Sequence, residues 1–133
     1  MKVFIVSDME GVAGVATYDQ VLRGGTGYPR GQEMMTNEAN AAIRGAFDGG
    51  ATEVVVNDSH GTMDNLLHDR LDARARLVFG APRPSCMVQG ISPGDAFAVV
   101  DKQPFDGPLF LSFGADTHVI GGALAGAMRV EVK

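Results

Sequence analysis

Residues 2–11 have the sequence KVFIVSDMEG, an apolar run that ends in two acidic side chains. A continuous apolar run of this length is typical of a strand that is buried on both faces of a parallel sheet. A second run of the same kind, EVVVNDSHG, occupies residues 53–61. Between them, residues 30–48 carry apolar side chains at helical spacing, and Gly49 and Gly50 follow as a helix stop. This order predicts a βαβ unit with two parallel strands.

Polar side chains follow both predicted strands. Asp8 and Glu10 come after the first strand, and Asp58 and His60 come after the second. Because parallel neighbours end at the same edge of a sheet, we expect these side chains to lie close together. Two carboxylates with an imidazole favour zinc or another transition metal over calcium or magnesium. The sequence therefore predicts a metal site with Asp8, Glu10 and His60 as ligands.

The role of Asp58 stays open between three possibilities. It could ligate the metal, orient His60, or accept a hydrogen bond in the turn after the strand; the last two are favoured. Asp116 and His118 follow a strand predicted over residues 109–113 and could supplement the site, although a loop role suits them at least as well.

Three other reactive side chains have simpler explanations. His68 falls in a short helix predicted over residues 63–71, where a solvated face accounts for it. Ser59 precedes His60, but adjacent residues in an extended segment point apart, so we expect no nucleophile–base pair. Cys86 has no base beside it in the sequence and is expected to be inert.

The other predicted elements are shorter or less well defined. They are a long loop over residues 11–29, strands over 76–79 and 96–100, a helical turn over 85–90, and a segment over 121–128 that is helical or strand-like. Together the elements predict an α/β fold, a three-layer domain with a mostly parallel central sheet and a ligand site at the carboxyl ends of its strands. At 133 residues, we expect one domain over residues 1–133.

Composition narrows the range of functions. The net charge is −5 without a basic cluster, which argues against a nucleic-acid surface. No stretch approaches the ~20 apolar residues of a membrane span, and Ser7 and Asp8 interrupt the first apolar run before it could serve as a signal peptide. A single cysteine suits a reducing compartment. We therefore expect a cytoplasmic protein.

The chain resembles the D-aminopeptidase family of zinc metallopeptidases. The resemblance rests on Ser7-Asp8-Met9-Glu10-Gly11, on helix residues Tyr28, Arg30-Gly31 and Met35-Thr36-Asn37-Glu38-Ala39-Asn40, and on Val56-Asn57-Asp58-Ser59-His60. It extends more loosely through Met87-Val88-Gln89-Gly90 to Leu109-Phe110-Leu111. The combination of these motifs in this order is specific, although each motif alone is weak.

The resemblance implies a two-zinc site that hydrolyses short peptides with amino-terminal D-residues, in a ring-shaped homo-oligomer. The family's first Asp, its neighbouring Glu and its first His map onto Asp8, Glu10 and His60. Water activated by the metal would be the nucleophile.

The chain departs from the family pattern at two histidines. A further zinc ligand falls at Gly114, and the catalytic acid/base falls near Gly126. The family's last ligand, a Glu, would lie beyond Lys133. The resemblance thus implies the amino-terminal part of the family's catalytic domain, either in an active enzyme with an altered or truncated end or in a degenerate relative that binds metal or forms oligomers without catalysis.

A different enzyme class remains as an alternative. Residues 4–12 also resemble the start of haloacid-dehalogenase-type phosphatases, in which the first Asp, here Asp8, is the nucleophile. That fold needs a Ser or Thr closing the second strand and a later Lys. Here Asn57 follows the second strand, and Lys102 is the one interior lysine after the amino terminus. This alternative ranks below the peptidase.

Overall fold

The computed structural model describes residues 2–90 in full and, after them, the backbone of three strands over residues 98–102, 109–113 and 116–120. The chain divides into two compact units, Met1–Gly90 and Ile91–Lys133. A single domain over residues 1–133 stays a prediction, and each unit is described by itself.

The first unit contains a parallel sheet and one long helix. Its elements in chain order are β1 (Lys2–Ser7), α1 (Tyr18–Val21), α2 (Tyr28–Asp48), β2 (Glu53–Asp58), β3 (Arg76–Val78) and a single 3₁₀ turn at Cys86–Val88. Strand β2 pairs in parallel with β1 on one side and with β3 on the other. The predicted βαβ unit and the α/β fold class are confirmed.

Helix α2 supplies much of the core of this unit. Its buried apolar side chains Met35, Ala39 and Ile43 join a cluster that also contains Val54 and Val56 of β2. The helix begins at Tyr28, before the predicted start at residue 30. Pro29 is tolerated in the first turn because the backbone N–H groups there have no partner within the helix. The parallel register of β1 and β2 brings their last residues, Ser7 and Asp58, to the same edge of the sheet.

Two predictions of secondary structure were wrong. Residues 63–71 form turns, because the carboxylate of Asp58 accepts the backbone N–H groups of Asn65 and Leu66 and Thr36 Oγ1 accepts that of Leu67. These N–H groups are therefore not available to a helical ladder. The predicted loop over residues 11–29 contains the short helix α1, where the side chain of Gln20 accepts the backbone N–H of Thr17 at 3.1 Å.

The described residues of the second unit form three antiparallel strands, β4 (Ala98–Lys102), β5 (Leu109–Phe113) and β6 (Asp116–Ile120), with β5 paired to both of the others. Asp116 and His118 lie in β6 and not in a loop, opposite Phe113 and Leu111 respectively. Gly114, Gly126 and the segment over residues 121–128 lie outside the described residues. Within the described part of the chain, no helix is long and apolar enough to cross a membrane.

Candidate metal centre

The site forms where β1 and β2 end side by side. Ser7 and Asp58 are paired in the parallel register, and the backbone N–H of Ser59 donates to the carbonyl of Ser7 at 2.8 Å. The chain therefore leaves both strands at the same level of the sheet, and the segments that follow face each other. This arrangement is the one expected at the carboxyl edge of a parallel sheet.

Asp8, Glu10 and His60 converge at this edge. Nδ1 of His60 lies 3.0 Å from Oδ1 of Asp8 and 3.0 Å from Oε2 of Glu10. The three candidate ligand atoms lie within 4.8 Å of one another. The imidazole is mostly buried, whereas Glu10 is exposed, so the site opens to solvent on the Glu10 side.

Met9 explains how both carboxylates reach the same imidazole. Its side chain is fully buried in the core, which anchors the chain between Asp8 and Glu10. The backbone N–H of Met9 donates to Oδ1 of Asp8 at 2.9 Å, and Gly11 then turns the chain with a φ of +99°. Residues with a side chain rarely adopt that φ, so glycine suits this turn.

The second nitrogen of His60 has a partner of its own. Nε2 lies 2.8 Å from the carbonyl oxygen of Val21, the last residue of α1. A carbonyl only accepts hydrogen bonds, so Nε2 carries the proton in this contact. In the neutral imidazole Nδ1 is then unprotonated and presents its lone pair to the two carboxylates. Three electron-rich atoms facing one point attract a proton or a metal cation.

The electrostatics of the site agree with this geometry. Burial by itself lowers the pKa of His60, but the hydrogen bond to Val21 and the neighbouring carboxylates outweigh it, and the pKa is raised above its ordinary value. Burial raises the pKa of Asp8 and the charge of Glu10 adds to this, against the hydrogen bonds from Met9 and His60. Titratable groups whose pKa values are shifted by burial and by each other's charges, as those of His60 and Asp8 are here, are typical of cation-binding sites.

Asp58 holds the loop that carries His60. Its fully buried carboxylate accepts the backbone N–H groups of Asn65 at 2.6 Å, Leu66 at 2.7 Å and His60 at 3.3 Å, and the side-chain amide of Asn65 at 2.9 Å. These contacts match the predicted turn role, and they occupy both carboxylate oxygens. Asp58 therefore supports the loop that carries His60 and is not part of the group of converging side chains.

Arg83 braces the same loop from the other side and was missed in the sequence. Its guanidinium donates to the backbone carbonyls of Asp58 at 2.7 Å and Val78 at 2.9 Å, and to the side-chain oxygen of Asn57. Nothing in the spacing of residues 80–84 indicated this contact. The contact of Val21 with His60 could not be predicted either, because it is made by the backbone carbonyl and does not depend on the side chain.

Among the described residues, His68 and Cys86 are not part of the converging group, and Ser59 has a hydrogen-bond partner of its own. Ser59 Oγ donates to the carbonyl of Asn57, 3.4 Å away, and so no hydrogen bond to His60 is needed to satisfy it. His68 is exposed and its ring centroid lies 5.9 Å from that of Phe79. Cys86 is exposed. The participation of Asp116 and His118 stays a prediction, because their side chains are not among those the structure describes.

Comparisons with known proteins agree with the resemblance. A family model described as D-aminopeptidase matches residues 1–101. A curated D-aminopeptidase of Bacillus subtilis (strain 168) is 40% identical over 121 residues, which cover 91% of this chain and 40% of that protein. Among solved structures, the Zn-dependent D-aminopeptidase DppA of Bacillus subtilis, described as a self-compartmentalizing protease, is 44% identical with a TM-score of 0.67.

The structural match covers 68% of this chain and 33% of the DppA chain, so this chain spans well under half the length of both relatives. The region matched by the family model, residues 1–101, contains Asp8, Glu10 and His60. The family-model match also decides against the phosphatase alternative. The family model covers residues 1–101, whereas the likeness to phosphatases is confined to residues 4–12. The chain belongs to the D-aminopeptidase family of peptidase hydrolases.

Proposed function

We propose that Asp8, Glu10 and His60 hold a zinc ion, and that the chain is a zinc-dependent aminopeptidase for short peptides with an amino-terminal D-residue. The observation that carries the proposal is the position of His60 Nδ1, 3.0 Å from a carboxylate oxygen of both Asp8 and Glu10. The Zn dependence of DppA and the D-aminopeptidase names of both relatives support the choice of metal and substrate.

The residues present fit zinc chemically. Zinc takes imidazole nitrogen and carboxylate oxygen at about 2.0–2.2 Å, and three protein ligands leave an open position for water in a catalytic site. Oxygen ligands alone would favour magnesium or calcium, and the imidazole shifts the preference towards zinc. Two carboxylates balance the charge of one divalent cation, so the site as a whole would be neutral.

When bound, zinc supplies a water of lowered pKa and polarises the scissile carbonyl. The chain's own groups prepare for this. Val21 holds His60 with Nδ1 towards the carboxylates, Asp58 fixes the loop beneath it, and Met9 keeps Asp8 and Glu10 on one side. The exposed side of Glu10 leaves a path for a peptide from solvent.

A second candidate function has a specific observation in its favour. Gly114 and Gly126 stand where the resemblance implies a further zinc ligand and the catalytic acid/base. A glycine side chain cannot ligate metal or move a proton, and loss of a general base typically costs 10²–10⁴ in rate. The second candidate is therefore a relative that binds zinc at Asp8, Glu10 and His60, or forms oligomers, without hydrolysing peptides.

We also propose that the chain assembles with copies of itself in the cytoplasm. The description of DppA as self-compartmentalizing supports a homo-oligomer. An exposed, single cysteine suits a reducing compartment. Size-exclusion chromatography with light scattering tests the assembly, and a monomer at micromolar concentration would contradict it.

Peptide hydrolysis tests the proposed function directly. The chain is incubated with D-Ala-D-Ala and, in parallel, L-Ala-L-Ala, each with zinc or with a chelator. The proposal expects hydrolysis of the D-peptide that the chelator stops and that His60→Ala abolishes, while the exposed His68→Ala is unchanged. Zinc binding without hydrolysis would favour the second candidate. Absence of both zinc binding and hydrolysis would contradict the aminopeptidase and the zinc-binding form of the second candidate.

A further inference from the structure

Residues 11–27, which we term the bracing segment, connect β1 to α2 and place one backbone group against His60. The carbonyl oxygen of Val21 lies 2.8 Å from Nε2 of His60. Without this acceptor, the imidazole could rotate or protonate at either nitrogen. Groups that hold the second nitrogen of a ligating histidine fix its tautomer and ring orientation. The position of the Val21 carbonyl therefore controls where Nδ1 points.

The bracing segment approaches α2 at a glycine. Gly31 is buried in the first turns of the helix, and a Cβ at that position would overlap the carbonyl oxygen of Gln20, the residue before Val21. Backbone-to-backbone contact of this kind leaves no flexible side chain that could move aside. Any side chain at position 31 must push the Gln20–Val21 peptide away from the helix.

An aspartate ties the other face of the bracing segment to the start of α2. The carboxylate of Asp19 accepts the backbone N–H groups of Thr26 at 2.8 Å and Gly27 at 2.6 Å, and the hydroxyl of Thr26 at 3.0 Å. Asp19 also leaves no room at Gly27, where a Cβ would lie 2.7 Å from its Oδ2. Asp19 and Gly31 thus fix α1 from two sides.

Arg23 extends this connection to the loop that carries His60. Its guanidinium donates to Oγ1 of Thr62 at 3.0 Å and pairs with the carboxylate of Asp64. The bracing segment is therefore joined to helix α2 on one side and to the 60–66 loop on the other. Both partners of the His60–Val21 contact are held independently of that contact.

We propose that Gly31 and Asp19 are positioning residues for the metal site, which act by holding the Val21 carbonyl on Nε2 of His60. This inference rests on the proposed zinc site and adds two residues to it that touch neither metal nor ligand. If Gly31 served only the packing of the helix, a substitution there would change stability and not zinc affinity.

The test measures zinc affinity by competition with a chromophoric chelator, with thermal unfolding and circular dichroism recorded for every variant. Gly31→Ala is compared with Gly45→Ala, because Gly45 lies in the same helix and a Cβ there meets nothing within 4 Å. Both substitutions raise helix propensity. We expect zinc to bind about 10- to 100-fold more weakly to Gly31→Ala, as for other groups that orient a ligating histidine, and unchanged to Gly45→Ala.

A second pair of variants covers the case in which Gly31→Ala does not fold. Asp19→Asn replaces an exposed carboxylate, and Asp69→Asn changes an exposed carboxylate outside this network. We expect weaker zinc binding for Asp19→Asn and unchanged zinc binding for Asp69→Asn. Nitrogen-15 shifts of His60 in the metal-free protein, recorded above its raised pKa so that the ring is neutral, provide a readout that a purely structural role would leave unchanged. We expect a protonated Nε2 in wild type and a mixture of tautomers in Asp19→Asn.

The outcomes separate this inference from the proposed function. If wild type binds zinc and both Asp19→Asn and folded Gly31→Ala bind it equally well, the positioning role is wrong while the zinc site stands. If wild type binds no zinc, the proposed function fails and the inference falls with it. Weaker binding in these variants, with both controls unchanged, supports the inference.

Discussion

His60 and Val21 lie on opposite sides of the gap between the 60–66 loop and α1, and one hydrogen bond of 2.8 Å from imidazole Nε2 to the Val21 carbonyl joins them. The bond directs the second ring nitrogen towards Asp8 and Glu10. The backbone carbonyl of Val21 therefore sets which nitrogen of His60 faces the two carboxylates.

Met9 is expected to affect both stability and the metal site. Met9→Ala empties a fully buried position and should lower the free energy of unfolding by about 2–5 kcal/mol, whereas Met9→Leu conserves volume and should cost less than about 1.5 kcal/mol. Urea denaturation of the metal-free protein measures this. Equal stability of Met9→Ala and wild type would show that the side chain does not anchor the turn between the two carboxylates.

Asp58→Asn should destabilise the loop beneath His60. The buried carboxylate accepts four hydrogen bonds, and an amide replaces one acceptor oxygen by a donor, which leaves backbone N–H groups without partners. The expected loss is about 3 kcal/mol in the free energy of unfolding. Asp69→Asn, on an exposed turn, is the control. A loss for Asp58→Asn no larger than the control's would contradict the role assigned to Asp58.

Asp72 gives a pH dependence with a defined sign. Hydrogen bonds from the side chain and backbone of Arg74 lower the pKa of Asp72 to about 2. A lowered pKa means that the folded state binds the proton less tightly, so the contribution to stability is present above the ordinary value near 3.8 and is lost as pH falls through about 2. Carbon-13 NMR titration should find this pKa, and Arg74→Gln should move it towards 3.8. An unchanged pKa in Arg74→Gln would refute the assignment.

Much of the first unit and of the site could be predicted from the sequence. The apolar run over residues 2–7 and the helical spacing before Gly49 identified the βαβ unit, and parallel strands bring Asp8, Glu10 and His60 to one edge. These inferences succeed because continuous apolar runs are typical of strands in a parallel sheet.

The errors have a common physical cause. Residues 63–71 carry a helical pattern, but Asp58 and Thr36 take the N–H groups that a helix would use. The contacts of Val21 and Arg83 were also invisible, because each depends on a backbone carbonyl brought close by the tertiary fold. Long-range contacts between a side chain and a backbone group leave no periodic signal in a sequence.

Removal of the metal should be visible as a loss of thermal stability. A ligand that binds only the folded state at 100 times its Kd stabilises it by about 2.7 kcal/mol, so zinc should raise Tm and a chelator should reverse the change. Magnesium at the same concentration should have a much smaller effect, because an imidazole ligand disfavours it. An equal rise in Tm with magnesium would argue for a hard-cation site instead.

Isothermal titration of the metal-free chain with zinc measures whether Asp8, Glu10 and His60 form a zinc site. The proposed zinc site requires saturable binding in wild type and in His68→Ala, and loss of that binding in His60→Ala. A wild-type chain that takes up no zinc at micromolar concentrations, or a His60→Ala chain that binds zinc as wild type does, would contradict it.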